Sequence, residues 1–277
     1  MPRFAANLHY LFTELPFLDR FAAAAEAGFQ GVEFQVPYDY PPAELRARLD
    51  AHGLKMVLFD APMGDWNAGD RGLACVTGRE AEFRASLDRV VEYGPALGCD
   101  TVHVMAGVVG PGMDYAQCER TYVENLRYAA GFLQPHGLRV VIEPINKAMG
   151  IVQGGPSYTT QGMHGYFLNH TAHARALLER IDHPNASLHL DCYHMQLLEG
   201  RLADTLRENI GVLHHIQIAG VPGRHEPDVG EIHYPFLFDL LDEIGYQGWV
   251  GCEYRPEGNT WDGLGWAARY GISGARK

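Results

Sequence analysis

Four oxygen-bearing side chains stand at matching places in a repeated pattern. They are Glu143 in Val-Val-Ile-Glu-Pro, Asp191 in Leu-His-Leu-Asp-Cys-Tyr-His, Gln217 in His-His-Ile-Gln-Ile and Glu253 in Gly-Cys-Glu-Tyr. Each closes a short β-type run, so successive strands deliver three carboxylates and one amide to one region. Carboxylates converging in a low-dielectric site repel one another unless a counter-charge is present. A divalent cation supplies it, and an all-oxygen donor set favours Mg2+ or Mn2+ over zinc. Glu143, Asp191, Gln217 and Glu253 are therefore the expected metal set. His194, three residues after Asp191, is placed to reach a substrate oxygen. Of the adjacent pair His214 and His215, only one can face inward from a strand.

The elements that must position these residues follow one rhythm. Candidate strands are 3–8, 31–35, 55–60, 101–105, 139–143, 187–191, 213–218 and 249–253, several of them nearly continuous apolar runs suited to burial on both faces. Helical patterns lie between them: Leu237, Leu240, Leu241 and Ile244 form one apolar stripe, and Phe83, Leu87, Val90 and Val91 another. Gly28, Gly53, Gly98, Gly137 and Gly245 each stop a helical pattern just before a strand. Strand, helix, glycine and strand, repeated eight times without a hydrophilic linker, predict a single α/β domain, a (β/α)8 TIM barrel over 1–277. A doubly wound open sheet would carry a Gly-rich phosphate fingerprint after the first strand, and none is present. In a barrel the catalytic groups stand at the C-terminal strand ends, where the four residues fall. One connection, 144–170, is long and glycine-rich and predicts a lid over the barrel mouth, with Tyr158, His164 and Tyr166 on its inner face.

Composition removes several function classes. The 277 residues carry 22 Lys and Arg against 34 Asp and Glu, a formal charge of −12. That balance opposes binding to nucleic acid or to an anionic membrane, and no run approaches the ~18 apolar residues of a membrane span. Five widely spaced cysteines without a CxxC pair read as buried thiols of a reducing cytoplasm. Self-association is left open.

Longer stretches then become recognisable. Arg3-Phe4-Ala5-Ala6-Asn7-Leu8, Gly31-Val32-Glu33-Phe34, Pro37-Tyr38-Asp39-Tyr40, Gly64-Asp65-Trp66, Glu143-Pro144-Ile145-Asn146, Asp191-Cys192-Tyr193-His194, Arg224-His225-Glu226-Pro227 and Gly248-Trp249-Val250-Gly251-Cys252-Glu253-Tyr254 occur in this order. In them the chain resembles the hydroxypyruvate isomerase family of the xylose-isomerase-like barrel superfamily. The resemblance implies an aldose–ketose type isomerase with two acid/base glutamates, which fall on Glu143 and Glu253. It also places metal positions on the same four residues, although related sugar epimerases carry His where this chain has Gln217. The stretches 102–109 and 217–220 resemble the 2-oxo-tetronate isomerase branch, whereas Trp66 and Arg71 lean toward hydroxypyruvate isomerase. Residues 150–164 are an insertion relative to the family.

The expected reaction converts hydroxypyruvate to 2-hydroxy-3-oxopropanoate through an enediolate, with the four-carbon 2-oxo-tetronate as the alternative substrate. An anionic substrate needs a local cation, and Arg224, then Arg71, are the candidates for its carboxylate. A metal-dependent phosphodiesterase on the same barrel would need a basic groove, which the charge balance opposes. A catalytically silent sugar-binding barrel would not require two opposed glutamates.

Overall fold

The computed structural model describes residues 1–147 and 163–274. Eight parallel strands close into a barrel in chain order: β1 (Arg3–Asn7), β2 (Gly31–Glu33), β3 (Lys55–Asp60), β4 (Thr101–His103), β5 (Arg139–Ile142), β6 (Ala186–Asp191), β7 (Leu213–Ile218) and β8 (Trp249–Cys252), with β8 pairing back on β1. Every predicted strand is present, with ends differing by at most two residues. Eight α-helices among the described residues surround it: α1 (Arg20–Ala27), α2 (Pro42–His52), α3 (Glu80–Leu97), α4 (Tyr115–Leu133), α5 (Thr171–Ile181), α6 (Cys192–Leu198), α7 (Leu202–Asn209) and α8 (Tyr234–Glu243).

The helices bury the faces their sequences specify. Phe83, Leu87 and Val90 of α3 and Leu237, Leu240 and Leu241 of α8 are all buried in the main core. Gly98 shows how such a helix stops: it adopts φ +65°, and its N–H turns back to the carbonyls of Gly94 and Pro95. An L side chain rarely takes that backbone conformation. All five cysteines are buried and free, as expected.

Inside the barrel, Ala5, Val57 and Val141 from alternate strands pack with Leu58 and Trp249 into a small apolar cluster apart from the main core. At the opposite, C-terminal end the lining turns polar on every strand. Asn7, Glu33, Asp60, His103 and Asp191 are the last residues of β1, β2, β3, β4 and β6, Gln217 is the penultimate residue of β7, and Glu143 and Glu253 directly follow β5 and β8. All eight are buried.

The connection after β5 is held at both described ends: the Ile145 N–H bonds the Leu168 carbonyl at 3.0 Å, and Val108 and Tyr166 form an antiparallel bridge. Tyr166 does not face a lid. Its hydroxyl accepts the Ala106 N–H at 2.9 Å within the main core, whereas His164 is exposed. Tyr158 and most of the expected lid lie outside the described residues.

Room for the polar ring depends on one missing side chain. Gly251 of β8 stands in register with Gln217, and a Cβ there would fall on the carboxylate of Glu33. Gly251→Ala is therefore expected to destabilise the protein by roughly 1–3 kcal/mol, the usual cost of overpacking a filled interior. Urea unfolding checks this, and an unchanged midpoint would mean that Glu33 can move aside.

Candidate active site

The strand-end ring divides into two connected groups. On the β1–β2–β7 side, Glu33 accepts hydrogen bonds from Asn7 Nδ2 (3.0 Å) and Gln217 Nε2 (2.7 Å), and its other oxygen lies 2.7 Å from His215 Nε2. Three partners thus satisfy a carboxylate that is almost wholly buried, as a charged group in such a place requires. Gln217 reaches the ring as predicted, with its amide nitrogen turned to Glu33. His215 is the inward member of its pair, whereas His214 pairs with Thr101 at 3.1 Å.

The second group holds the three expected carboxylates. Arg224 Nη2 donates to Asp191 Oδ2 at 3.0 Å and to Glu253 Oε2 at 2.5 Å, and all three side chains are buried. Gln35 Nε2 donates to the other oxygen of Glu253, and His9 Nδ1 lies 2.8 Å from Gln35 Oε1. Asp191 caps α6 by accepting the Tyr193 N–H at 2.8 Å. The loop that aims Arg224 is fixed through its own backbone. Arg224 sits at φ +59°, its N–H bonds the Gly220 carbonyl, and its carbonyl accepts the Arg255 N–H. Its guanidinium lies between the rings of Tyr10 and Tyr193, 5.2 and 5.0 Å from their centroids.

Glu143 sits among histidines. His103 Nε2 and His189 Nδ1 approach its Oε2 at 3.7 and 3.8 Å, and His194 Nε2 lies 4.0 Å from its Oε1 and 3.5 Å from Asp191 Oδ2. His103 is oriented from behind by Asp60, 3.2 Å from its Nδ1. Two donor groups result, His103–Glu143–His189 and Glu143–Asp191–His194, each compact enough to hold one cation. Glu143 Oε1 and His103 Nε2 are buried and have no hydrogen-bond partner among the described residues. Unsatisfied buried atoms aimed together fit a bound cation or substrate oxygen. The donor groups therefore suit a divalent ion: of the four residues read from the sequence they take in Glu143 and Asp191, with histidines beside them, while Gln217 donates to Glu33 and Glu253 accepts from Arg224, which Asp191 shares.

Burial governs the protonation of this cluster. It pushes Glu143 well above the usual carboxylate range, with Asp191 and Glu253 adding repulsion. Glu253 is pushed up to about 8 by burial, against the opposing pull of Arg224. Asp191 is raised by burial despite Arg224 and the Tyr193 N–H. Burial also drives His189 and His194 well below their ordinary value, so both rings are neutral at pH 7. Burial thus favours the protonated form of these carboxyl groups, a condition that suits acid/base work.

A cleft with a volume of about 80 Å3 opens above these residues. Glu143, Gln217, Glu253, His194 and Arg224 line it, Asp191 lies directly behind Arg224 and His194, and Arg224 is the one lysine or arginine among the lining residues. Leu58, Met63, Trp66, Met105, Ile145 and Met163 form its apolar wall. Arg71 does not line the cleft. It stacks behind Trp66, 3.9 Å from the ring centroid, and donates to the Trp66 carbonyl at 3.1 Å. Residues that the sequence reading passed over are Glu33, Asp60, His103, His189 and Gln35. Asp60 carries the same signal as Asp191, a polar residue ending a predicted strand, whereas Glu33 and His103 end strands that stop two residues earlier than predicted.

The family model described as xylose isomerase-like TIM barrel matches residues 21–270. The chain is 51% identical to a 2-oxo-tetronate isomerase of Cupriavidus necator over 98% of this chain and 99% of the relative. It is 41% identical to a hydroxypyruvate isomerase of Escherichia coli over 98% and 100%. A crystal structure titled as an AP endonuclease, family 2, from Brucella melitensis superposes with a TM-score of 0.91 at 48% identity, covering 98% of this chain and 99% of that one.

Arg224→Met would leave Asp191 and Glu253 as buried carboxylates without their cation, a loss of roughly 3–5 kcal/mol where both would be ionised. Removing the guanidinium raises both carboxyl pKa values further above those of the unfolded chain. The native state then binds more protons than the unfolded one, and stability falls as pH rises. The deficit against the parent protein is expected to be larger at pH 8 than at pH 5 in urea unfolding. A deficit independent of pH would mean that the carboxylates do not depend on this charge.

Proposed function

The chain belongs to the xylose isomerase-like TIM barrel family and is an isomerase, and from that premise we propose that it interconverts a short 2-oxo-3-hydroxy acid with its 2-hydroxy-3-oxo isomer. The observation that carries this reading is the pair Glu143 and Glu253, two buried carboxyl groups lining one cleft and both raised by burial. Hydroxypyruvate and the four-carbon 2-oxo-tetronate require the same proton transfer. The three-carbon acid is the substrate the sequence reading puts first. The four-carbon acid has a specific observation in its favour, the higher identity to the Cupriavidus relative.

In this reading one glutamate, ionised, takes the proton from C3 of the substrate. The other, protonated, delivers a proton to C2, and the hydroxyl proton passes from the C3 oxygen to the C2 oxygen, so product and substrate are isomers. His194 and His103, neighbours of Glu143, are placed to hold the oxygens between those steps. Arg224, the cation of the cleft lining, draws the substrate carboxylate to that side while keeping its own partners Asp191 and Glu253. Glu143, Asp191 and His194, or Glu143 with His103 and His189, would hold a divalent ion, and of Mg2+ and Mn2+ the mixed nitrogen and oxygen donors favour Mn2+. When bound, such an ion supplies Lewis-acid polarisation of the substrate carbonyl.

The endonuclease title of the Brucella structure raises phosphodiester chemistry as another class. A charge of −12 and a cleft ring rich in carboxylates oppose a DNA backbone.

Glu143→Gln and Glu253→Gln preserve side-chain size and remove a proton carrier, so each is expected to lower turnover by roughly 10²–10⁴-fold. Proton NMR of the purified protein with hydroxypyruvate and 2-oxo-tetronate in deuterated water reads turnover and substrate length together. Near-parental turnover in either variant would remove that glutamate from the mechanism, and no turnover of either acid by the parent protein would remove the reaction.

A further inference from the structure

A second pocket of about 240 Å3 lies beside the catalytic cleft, and the two share Met63 and Trp66 as lining residues. These two side chains therefore form a partition. The neighbouring cavity is mostly apolar beyond it, with Val36, Ala61 and Pro62 on its walls and the Tyr38 hydroxyl committed to the Asp60 carbonyl at 2.7 Å. Among the described residues its lining holds no carboxylate, imidazole or guanidinium, so these residues lack the means to do chemistry of their own. What it offers is apolar space on the far side of one indole and one thioether that also line the reacting site.

The indole is held firmly. Arg71 is buried, stacks on the Trp66 ring at 3.9 Å, and fixes the backbone at Trp66 by donating to its carbonyl. Behind Arg71, Asp70 pairs with Arg79 at 2.7 Å and accepts the Asp65 N–H at 2.7 Å, so both sides of the 65–71 loop are tied. A cation stacked on an aromatic face is attracted to it, more strongly where water is excluded.

We propose that Trp66, with Met63, is the chain-length determinant of the site, and that Arg71 is a positioning residue that keeps the indole closed against the neighbouring cavity. Short 2-oxo acids fit on the catalytic side of this wall. Longer 2-oxo acids with an alkyl tail are excluded by it and are the ligand class that the second cavity accepts when the wall is cut back. This rests on the proposed function for the side of the wall on which the oxo-acid head sits, and assigns Arg71 to the wall in place of a direct contact with substrate.

The test uses binding as well as turnover, so that the two readings fail separately. Calorimetry measures the affinities of 2-oxopropanoate and 2-oxohexanoate for the parent protein, Trp66→Ala, Met63→Ala and Arg71→Met, with circular dichroism confirming the fold. Turnover of hydroxypyruvate by the parent is recorded in parallel and bears on the isomerase reading alone. Trp66→Ala is expected to shift the six- to three-carbon affinity ratio by about tenfold or more toward the longer acid, the discrimination typical of apolar contacts in a pocket. Met63→Ala and Arg71→Met are expected to shift it the same way by less. A ratio unchanged in folded Trp66→Ala and Met63→Ala, or binding of neither acid to any of the proteins, would overturn the proposal.

Discussion

The structure depends on holding five carboxylates inside a barrel with one guanidinium. Glu33, Asp60, Glu143, Asp191 and Glu253 are each nearly removed from water, and Arg224 is the buried cation placed among them. Such a cluster survives only if each acid is hydrogen-bonded, paired or protonated. Glu33 has three polar neighbours, Asp60 has His103, Asp191 and Glu253 share Arg224, and burial pushes the Glu143 carboxyl well above the usual range, which favours its protonated form. In the proposed reaction, carboxyl groups whose protonated form burial favours are the reagents an enediolate route needs. The electrostatic problem of the fold and the chemistry of the site are thus one arrangement.

The barrel makes this arrangement possible because parallel strands end together. Closure in chain order brings Asn7 and Glu33 from the start of the chain against Gln217 and His215 near its end. Backbone details then tune the space: Gly251 leaves room for Glu33, and the left-handed backbone at Arg224, tied to Gly220 and Arg255, aims the guanidinium inward. Opposite the charges, the apolar wall of Leu58, Met63, Trp66, Met105, Ile145 and Met163 gives the cleft a dry side. A low local dielectric strengthens each charge interaction on the polar side.

Most of the fold was legible because its signals are local. Apolar runs of strand length, amphipathic stripes and glycine stops located all eight strands within two residues. The strand-end rule also found Glu143, Asp191, Gln217 and Glu253, but it was applied to four strands, and Asn7, Glu33, Asp60 and His103 end the other four in the same way. Arg224 was legible as a cation of the site, though its partners were not. Which carboxylates it meets depends on the path of the loop after β7, tied to Gly220 and to Arg255 beyond β8, and no periodicity encodes that. Arg71 illustrates the same limit, since only the folded loop reveals that it packs behind Trp66.

Burial outweighs the single guanidinium at Glu253, so the cluster is expected to keep a carboxyl proton at neutral pH. Carbon-13 NMR of protein labelled at the Glu and Asp carboxyl carbons, titrated from pH 4 to pH 10, measures this directly. At least one glutamate carboxyl signal is expected to keep its protonated shift at pH 7 and to move only near pH 8 or above. Complete ionisation of every Glu and Asp signal below pH 6 would contradict it.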